Sequence, residues 1–194
     1  MAKKLKVYFA GALFSAKELM GNKLIADSIC ANSGNYEIVL PQDMEVSRLH
    51  PKEIRDGDMR ALLNCDMGIF NFDGTELDSG TVAEFMLAKF AAMPALLLRT
   101  DFRVSGDQNV ENSGFEPWNL MLSFYPHTKS LLLNAASLYR QSFEGDTPNL
   151  NTYADLIARE IIAKLDELAR DIPASKSMPQ IREWICEMSD LNLG

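Results

Sequence analysis

The chain has 194 residues, 47% of them hydrophobic, which suits one globular α/β domain with room for a terminal extension. Its 27 acidic residues outnumber 19 basic ones, for a formal charge of −8, and no Lys/Arg block interrupts that balance, so nucleic-acid backbones and membrane surfaces are excluded as expected partners. Three widely spaced cysteines and two histidines offer neither a disulfide framework nor a metal cluster, and the apolar stretch behind the basic residues 1–6 is too short for a leader or a membrane span, so a cytoplasmic location is expected.

Residues 6–11 are predicted as a first strand. Residues 15–32 follow as a helix with Met20, Leu24, Ile25 and Ile29 along one apolar stripe, ended by Gly34 and Asn35. Residues 36–40 form a second strand, stopped by Pro41. A polar loop leads to Pro51, which suits the first turn of a helix running to about Asn64. Residues 67–72 read as a buried third strand, a helix follows Gly80, and residues 95–99 give a fourth strand. The polar stretch 100–117 is long enough to be a functional or mobile loop. Residues 130–133 read as a fifth strand. Residues 151–170 form an amphipathic helix with Leu156, Ile157, Ile161, Leu165 and Leu168 on one face, and Pro173 and Pro179 set apart a short segment around Trp184. The alternation of strand and helix predicts one α/β domain over residues 1–171, a flavodoxin-like or Rossmann-like parallel sheet flanked by helices, with a helical C-terminal extension over 172–194.

Residues 78–84, Asp-Ser-Gly-Thr-Val-Ala-Glu, set two carboxylates on either side of a turn that feeds a helix. In an open parallel sheet ligands bind where strands end and helices begin. Glu84 is therefore expected beside a crevice in the first turn of its helix, where the helix end favours a charged carboxylate that can act as a nucleophile or general base. The competing reading folds Glu84 back onto the Thr81 backbone in a capping box. Asp78 either shapes the turn or meets a ligand. Tyr8 alternates with Val7 and Phe9, as a core tyrosine would, but its hydroxyl needs a partner. A dinucleotide fingerprint, a P-loop and a G-x-S-x-G elbow are all absent from the sequence.

Five segments, in order, resemble the nucleoside 2-deoxyribosyltransferase family. They are Val7-Tyr8-Phe9-Ala10-Gly11 with Phe14; Leu40-Pro41-Gln42-Asp43-Met44-Glu45; Asp58, eight residues before Asp66; Asp78-x-Gly80-x-x-x-Glu84; and Pro117-Trp118-Asn119-Leu120-Met121. The resemblance spans roughly residues 6–135. It implies Glu84 as nucleophile touched by Tyr8, Asp58 facing the departing base, and Asp78 on the sugar hydroxyls. It further implies Gly11 in the turn after the first strand, Phe14 stacked on a base or simply packed, and a base-recognition loop ending in Glu45 where the family often carries Gln. Asn119 and Met121 would be lent to a neighbouring subunit's pocket.

The reaction so implied moves 2-deoxyribose between nucleobases through a covalent deoxyribosyl-Glu84 ester. Deoxyribonucleosides and free nucleobases are the expected partners, with no metal or organic cofactor, in a homodimer or a dimer-based hexamer with shared sites. Two alternatives stand beside it. One is a hydrolase of the same superfamily that cleaves deoxynucleoside 5′-monophosphates, for which the loop after the first strand offers only Ser15 and Lys17 to hold a phosphate. The other is a non-catalytic nucleotide-sensing domain in which Glu84 merely caps its helix.

Overall fold

The computed structural model describes residues 3–44, 50–103, 116–170, 172 and 179–191, without the side chains of 179–182. Five parallel strands, β1 (Leu5–Gly11), β2 (Tyr36–Val39), β3 (Met67–Asn71), β4 (Ala95–Arg99) and β5 (Thr128–Leu132), lie in the order β2-β1-β3-β4-β5. This is the doubly wound order of flavodoxin-like sheets, and its direction reverses between β1 and β3. Helices α1 (Ala16–Asn32), α2 (Pro51–Asn64), α3 (Ser79–Phe90), α4 (Ala135–Gln141), α5 (Leu150–Ala169) and α6 (Pro179–Ser189) cover the sheet and its edges.

Strand alternation divides the core in two. Val7, Phe9, Met67, Ile69, Leu96 and Leu98 point to one face and pack on Ile25 and Ile29 of α1 and on Ile157, Ile161 and Leu165 of α5. Tyr8, Ala10, Phe70, Ala95 and Leu97 point to the other, against Leu62 of α2 and Phe85 and Ala88 of α3. Both faces are covered, so the strands read as continuous apolar runs. A Cβ at Gly68 would meet the Phe70 ring at 2.6 Å, which is why that position carries no side chain.

The expected stripes hold with exceptions. Leu156 is half-buried, and Ala154 and Ala158 complete the buried face of α5. Met20 falls on the helical period yet is exposed, because only the C-terminal half of α1 lies over the sheet. The helical C-terminal extension expected over 172–194 is seen as α6, whereas α4 and a two-stranded hairpin, β6 (Phe143–Glu144) with β7 (Thr147–Pro148), were not foreseen. Within α6 and just after it, Ile185 and Leu191 are buried against Leu63 of α2 and Ala91 behind α3, while Trp184 stays exposed. The last turn of α6 is also tied to α2, since Arg55 Nη2 donates to the Ser189 carbonyl at 3.0 Å and Lys52 Nζ pairs with Asp190. Of the long loop predicted at 100–117, residues 104–115 lie outside the described residues. Among those described, no helix is long and apolar enough to cross a membrane.

Candidate active site

A groove of about 840 Å³ opens between α2 and α3 at the carboxyl end of β1. Its walls are two helical stripes. Pro51, Ile54, Arg55, Asp58 and Met59 recur at i, i+3, i+4, i+7 and i+8 on α2, and Gly80, Ala83, Glu84 and Leu87 recur in the same way on α3. Gly11, the last residue of β1 rather than part of the turn after it because it still pairs with Asn71, closes one end together with Leu13 and Phe14 from the loop that follows. The groove thus lies beside the switch point, where β1 and β3 send their chains to opposite sides.

Glu84 comes into the groove from α3 and meets Tyr8 from below. The buried Tyr8 hydroxyl donates to Glu84 Oε1 at 2.6 Å. Burial, and then the neighbouring Glu84 charge, hold the phenol firmly protonated, so it acts only as a donor. Burial pushes the Glu84 carboxyl up from 4.5 to about 7, the Tyr8 hydrogen bond pulls it down, and the charges of Asp58 and Asp78 add to the rise. Both protonation states of Glu84 are therefore populated near neutrality, which marks it as a candidate functional group.

The helix start differs from expectation. Asp78, not Thr81, is the N-cap of α3: its Oδ2 accepts from the Thr81 backbone N–H at 2.7 Å and the Thr81 hydroxyl at 2.8 Å. Glu84 accordingly sits in the second turn and bonds to Tyr8 rather than to the Thr81 backbone, which removes the capping-box reading. The expected help from the helix end is also lost, because that field fades beyond the first turn, and burial sets the proton affinity instead. Asp78 is both cap and groove wall. A Cβ at Gly80 would stand 3.1 Å from Asp78 Oδ2, so glycine there leaves the cap its room.

Asp58 lines the opposite wall, half-buried. Its neighbour Asp56 turns away from the groove, buried and bonded to Lys52 and Arg55. Gly11 lines the groove, where a Cβ would press on Asn71 Cβ at 3.2 Å. Phe14 is 80% exposed at the rim, which rules out simple packing within this chain. Asn119 and Met121 are not brought into this groove. Asn119 instead accepts from the Met121 N–H to cap the 3-10 turn Leu120–Leu122, and Met121 is 71% exposed. That turn is held by Trp118, buried beside Phe72, whose indole N–H donates to the Ser123 hydroxyl. Glu45 lies outside the described residues. Asp66 is structural, accepting from the Lys6 N–H at 2.8 Å and so fixing the base of β1. Among the described residues, no group of three or more His, Cys, Asp and Glu is placed to hold a metal ion.

Sequence reasoning missed Arg55, Ile54, Met59, Leu87 and Phe90 as groove residues. The matched i, i+3/i+4 stripes on successive helices were the available signal.

A family model described as nucleoside 2-deoxyribosyltransferase matches residues 7–121. An uncharacterized protein of Ureaplasma parvum serovar 3 is similar at 32% identity, across 56% of this chain and 78% of its own length. The crystal structure of a conserved protein from Enterococcus faecalis aligns with 54% of this chain and 69% of its own at 28% identity, with a TM-score of 0.50. A 2-desoxiribosyltransferase from Leishmania mexicana aligns with 61% of this chain and 85% of its own at 25% identity, with a TM-score of 0.48.

Proposed function

The chain belongs to the nucleoside 2-deoxyribosyltransferase family, and from that premise we propose that it transfers 2-deoxyribose between nucleobases by double displacement. Glu84 Oε2 attacks C1′ of a deoxynucleoside from the face opposite the base, while Tyr8 holds Oε1 and fixes the carboxylate plane. The C1′–N bond breaks, its electron pair leaves with the base, and Asp58 supplies the proton that neutralises it, directly or through water. The product is a deoxyribosyl ester on Glu84. The transition state resembles the oxocarbenium ion of glycoside hydrolysis, and a sugar without a 2′-hydroxyl tolerates that charge well. A second base then delivers its nitrogen to C1′ from the original side, passes its proton to Asp58 and frees Glu84. Two inversions give net retention.

Asp78 is assigned to a sugar hydroxyl. Asn119 and Met121, lying away from their own groove, are assigned to the pocket of a neighbouring copy, which makes a homodimer the smallest complete unit. A dimer-based hexamer keeps the same arrangement.

The observation that carries this reading is the buried Tyr8–Glu84 pair at 2.6 Å facing Asp58 across an open groove. The test is incubation of purified protein with deoxyinosine, with and without adenine. Transfer produces deoxyadenosine, and brief exposure to deoxyinosine alone adds the mass of a deoxyribosyl group to the peptide bearing Glu84. Release of free sugar at the same rate with or without adenine would replace transfer by hydrolysis.

A further inference from the structure

We propose that Arg55 reads the oxygen of the departing base, so that the preferred substrates are the deoxynucleosides of 6-oxopurines. The inference rests on Glu84 as the nucleophile and names the substrate class of that same groove.

The argument starts from displacement geometry. Glu84 stands on the α3 wall, so an in-line leaving group departs toward the α2 wall. That wall presents Asp58 and, one helical turn earlier, Arg55. A rise of about 4.5 Å separates positions three apart on a helix, so the two side chains address neighbouring atoms of one planar ligand. Arg55 is the only cation among the described residues lining the groove, and the rest of its end is apolar, from Ile54, Met59, Leu87 and Phe90.

A guanidinium only donates. Its partner must accept, and it must lie beside the atom that Asp58 protonates. The N7 and O6 edge of hypoxanthine or guanine meets both demands: N7 takes the proton of Asp58, and O6 takes an N–H of Arg55. Adenine places a donating amino group where Arg55 donates, and pyrimidines have no N7. As the C1′–N bond breaks, the departing 6-oxopurine spreads its electron pair onto O6. A fixed positive group there stabilises the transition state more than the ground state.

One edge of the Arg55 guanidinium is already held in place. Its Nε and Nη2 donate to Asp56 Oδ1, and Nη2 also donates to the Ser189 carbonyl. Among the described residues, no acceptor sits on Nη1. The fork is thus anchored on one side and open on the other, with the side chain half exposed. A nucleotide phosphate is a poorer match. It hangs from the sugar, and the sugar end of the groove holds Glu84 and Asp78, which repel it.

The experiment compares kcat/KM for deoxyinosine, deoxyguanosine, deoxyadenosine and deoxyinosine 5′-monophosphate with wild type, Arg55→Met and Arg55→Lys. Wild type is expected to favour deoxyinosine over deoxyadenosine by about tenfold or more. Arg55→Met should lower the rate with deoxyinosine and deoxyguanosine by about ten- to hundredfold and with deoxyadenosine by less than about threefold. Arg55→Lys, which keeps a donor, should recover part of the loss. Equal loss on all donors would assign Arg55 to holding α6 on α2 and overturn the proposal. So would a wild type that favours deoxyadenosine, or a loss confined to the monophosphate. A wild type that cleaves none of these donors would instead remove the reading of Glu84 itself, and this inference with it.

Discussion

The two faces of the sheet solve opposite problems. On the α1 and α5 side, aliphatic residues fill the space between helices and strands, and several polar groups that intrude from the helices and from β2 are paired. Ser28 and Asn32 donate to Asp155, and the Tyr36 hydroxyl donates to Asp166. On the α2 and α3 side, edge-to-face rings form the floor, with Phe85 set 5.3 Å from Phe70, 6.4 Å from Phe72 and 5.6 Å from Tyr125. Above that floor the helices part, and Glu84, Asp58 and Asp78 face one space. One face is built for packing. The other spends stability on a carboxylate held near neutrality, supported by aromatic packing that keeps it in place.

The sharpest way to break this contrast is Glu84→Gln. Transfer should fall by about a thousandfold or more, measured as deoxyadenosine formed from deoxyinosine and adenine. The same variant should be more stable than wild type at alkaline pH. Unfolded, Glu84 ionises near 4.5; folded, it keeps its proton to about 7. The folded chain therefore binds the proton more tightly, and stability falls as pH climbs through that window and stays lowered above it. The gain of the Gln variant should be near zero at pH 4 and reach at most about 3 kcal/mol at pH 8, read from denaturant midpoints.

Asp58→Asn should lower transfer by about a hundred- to a thousandfold with ordinary bases. The loss should be much smaller with a base that departs unaided, such as one already alkylated at N7. Equal losses would mean that Asp58 positions rather than protonates. Ile161→Ala, on the packed face, should cost about 2–5 kcal/mol in stability while folded molecules keep their transfer rate. A matching loss of rate would show that the two faces are coupled. Tyr8→Phe gives the smallest effect and the most informative one. The phenol pulls the Glu84 proton affinity down, so its removal should move the acidic limb of kcat/KM upward from about 7, with a rate near neutrality about tenfold lower.

The same division governs what could be read from the sequence. The sheet was legible because each buried strand is a short apolar run between turn residues, and α5 because its buried positions recur at helical spacing. Glu84 and Asp78 stood out because a Gly turn isolates them. The Tyr8–Glu84 bond joins residues 76 positions apart, which no local pattern reveals; only the family resemblance suggested it. Asp56 and Asp58 look alike in sequence, and the turn of α2 alone decides that one binds Lys52 and Arg55 while the other enters the groove. Arg55 was missed because one cation on an amphipathic helix resembles any solvated residue. Met59, Leu87 and Phe90 were missed for the converse reason, since apolar residues at helical spacing suit a core equally well. The helix at the C-terminal end was expected, but where it packs was not legible, because the partners of Ile185 and Leu191 are Leu63 and Ala91, far away in the chain.

The phenol beneath Glu84 has an optical consequence. A tyrosine that donates to a carboxylate absorbs at longer wavelength than one facing a neutral ester. Under the proposed mechanism, each attachment of the sugar would make Tyr8 trade a charged acceptor for an uncharged one, and its ultraviolet band should move to the blue. When the second base removes the sugar, the band should return. The molecule thus carries its own dye, and stopped-flow absorbance without any label could time both halves of the cycle.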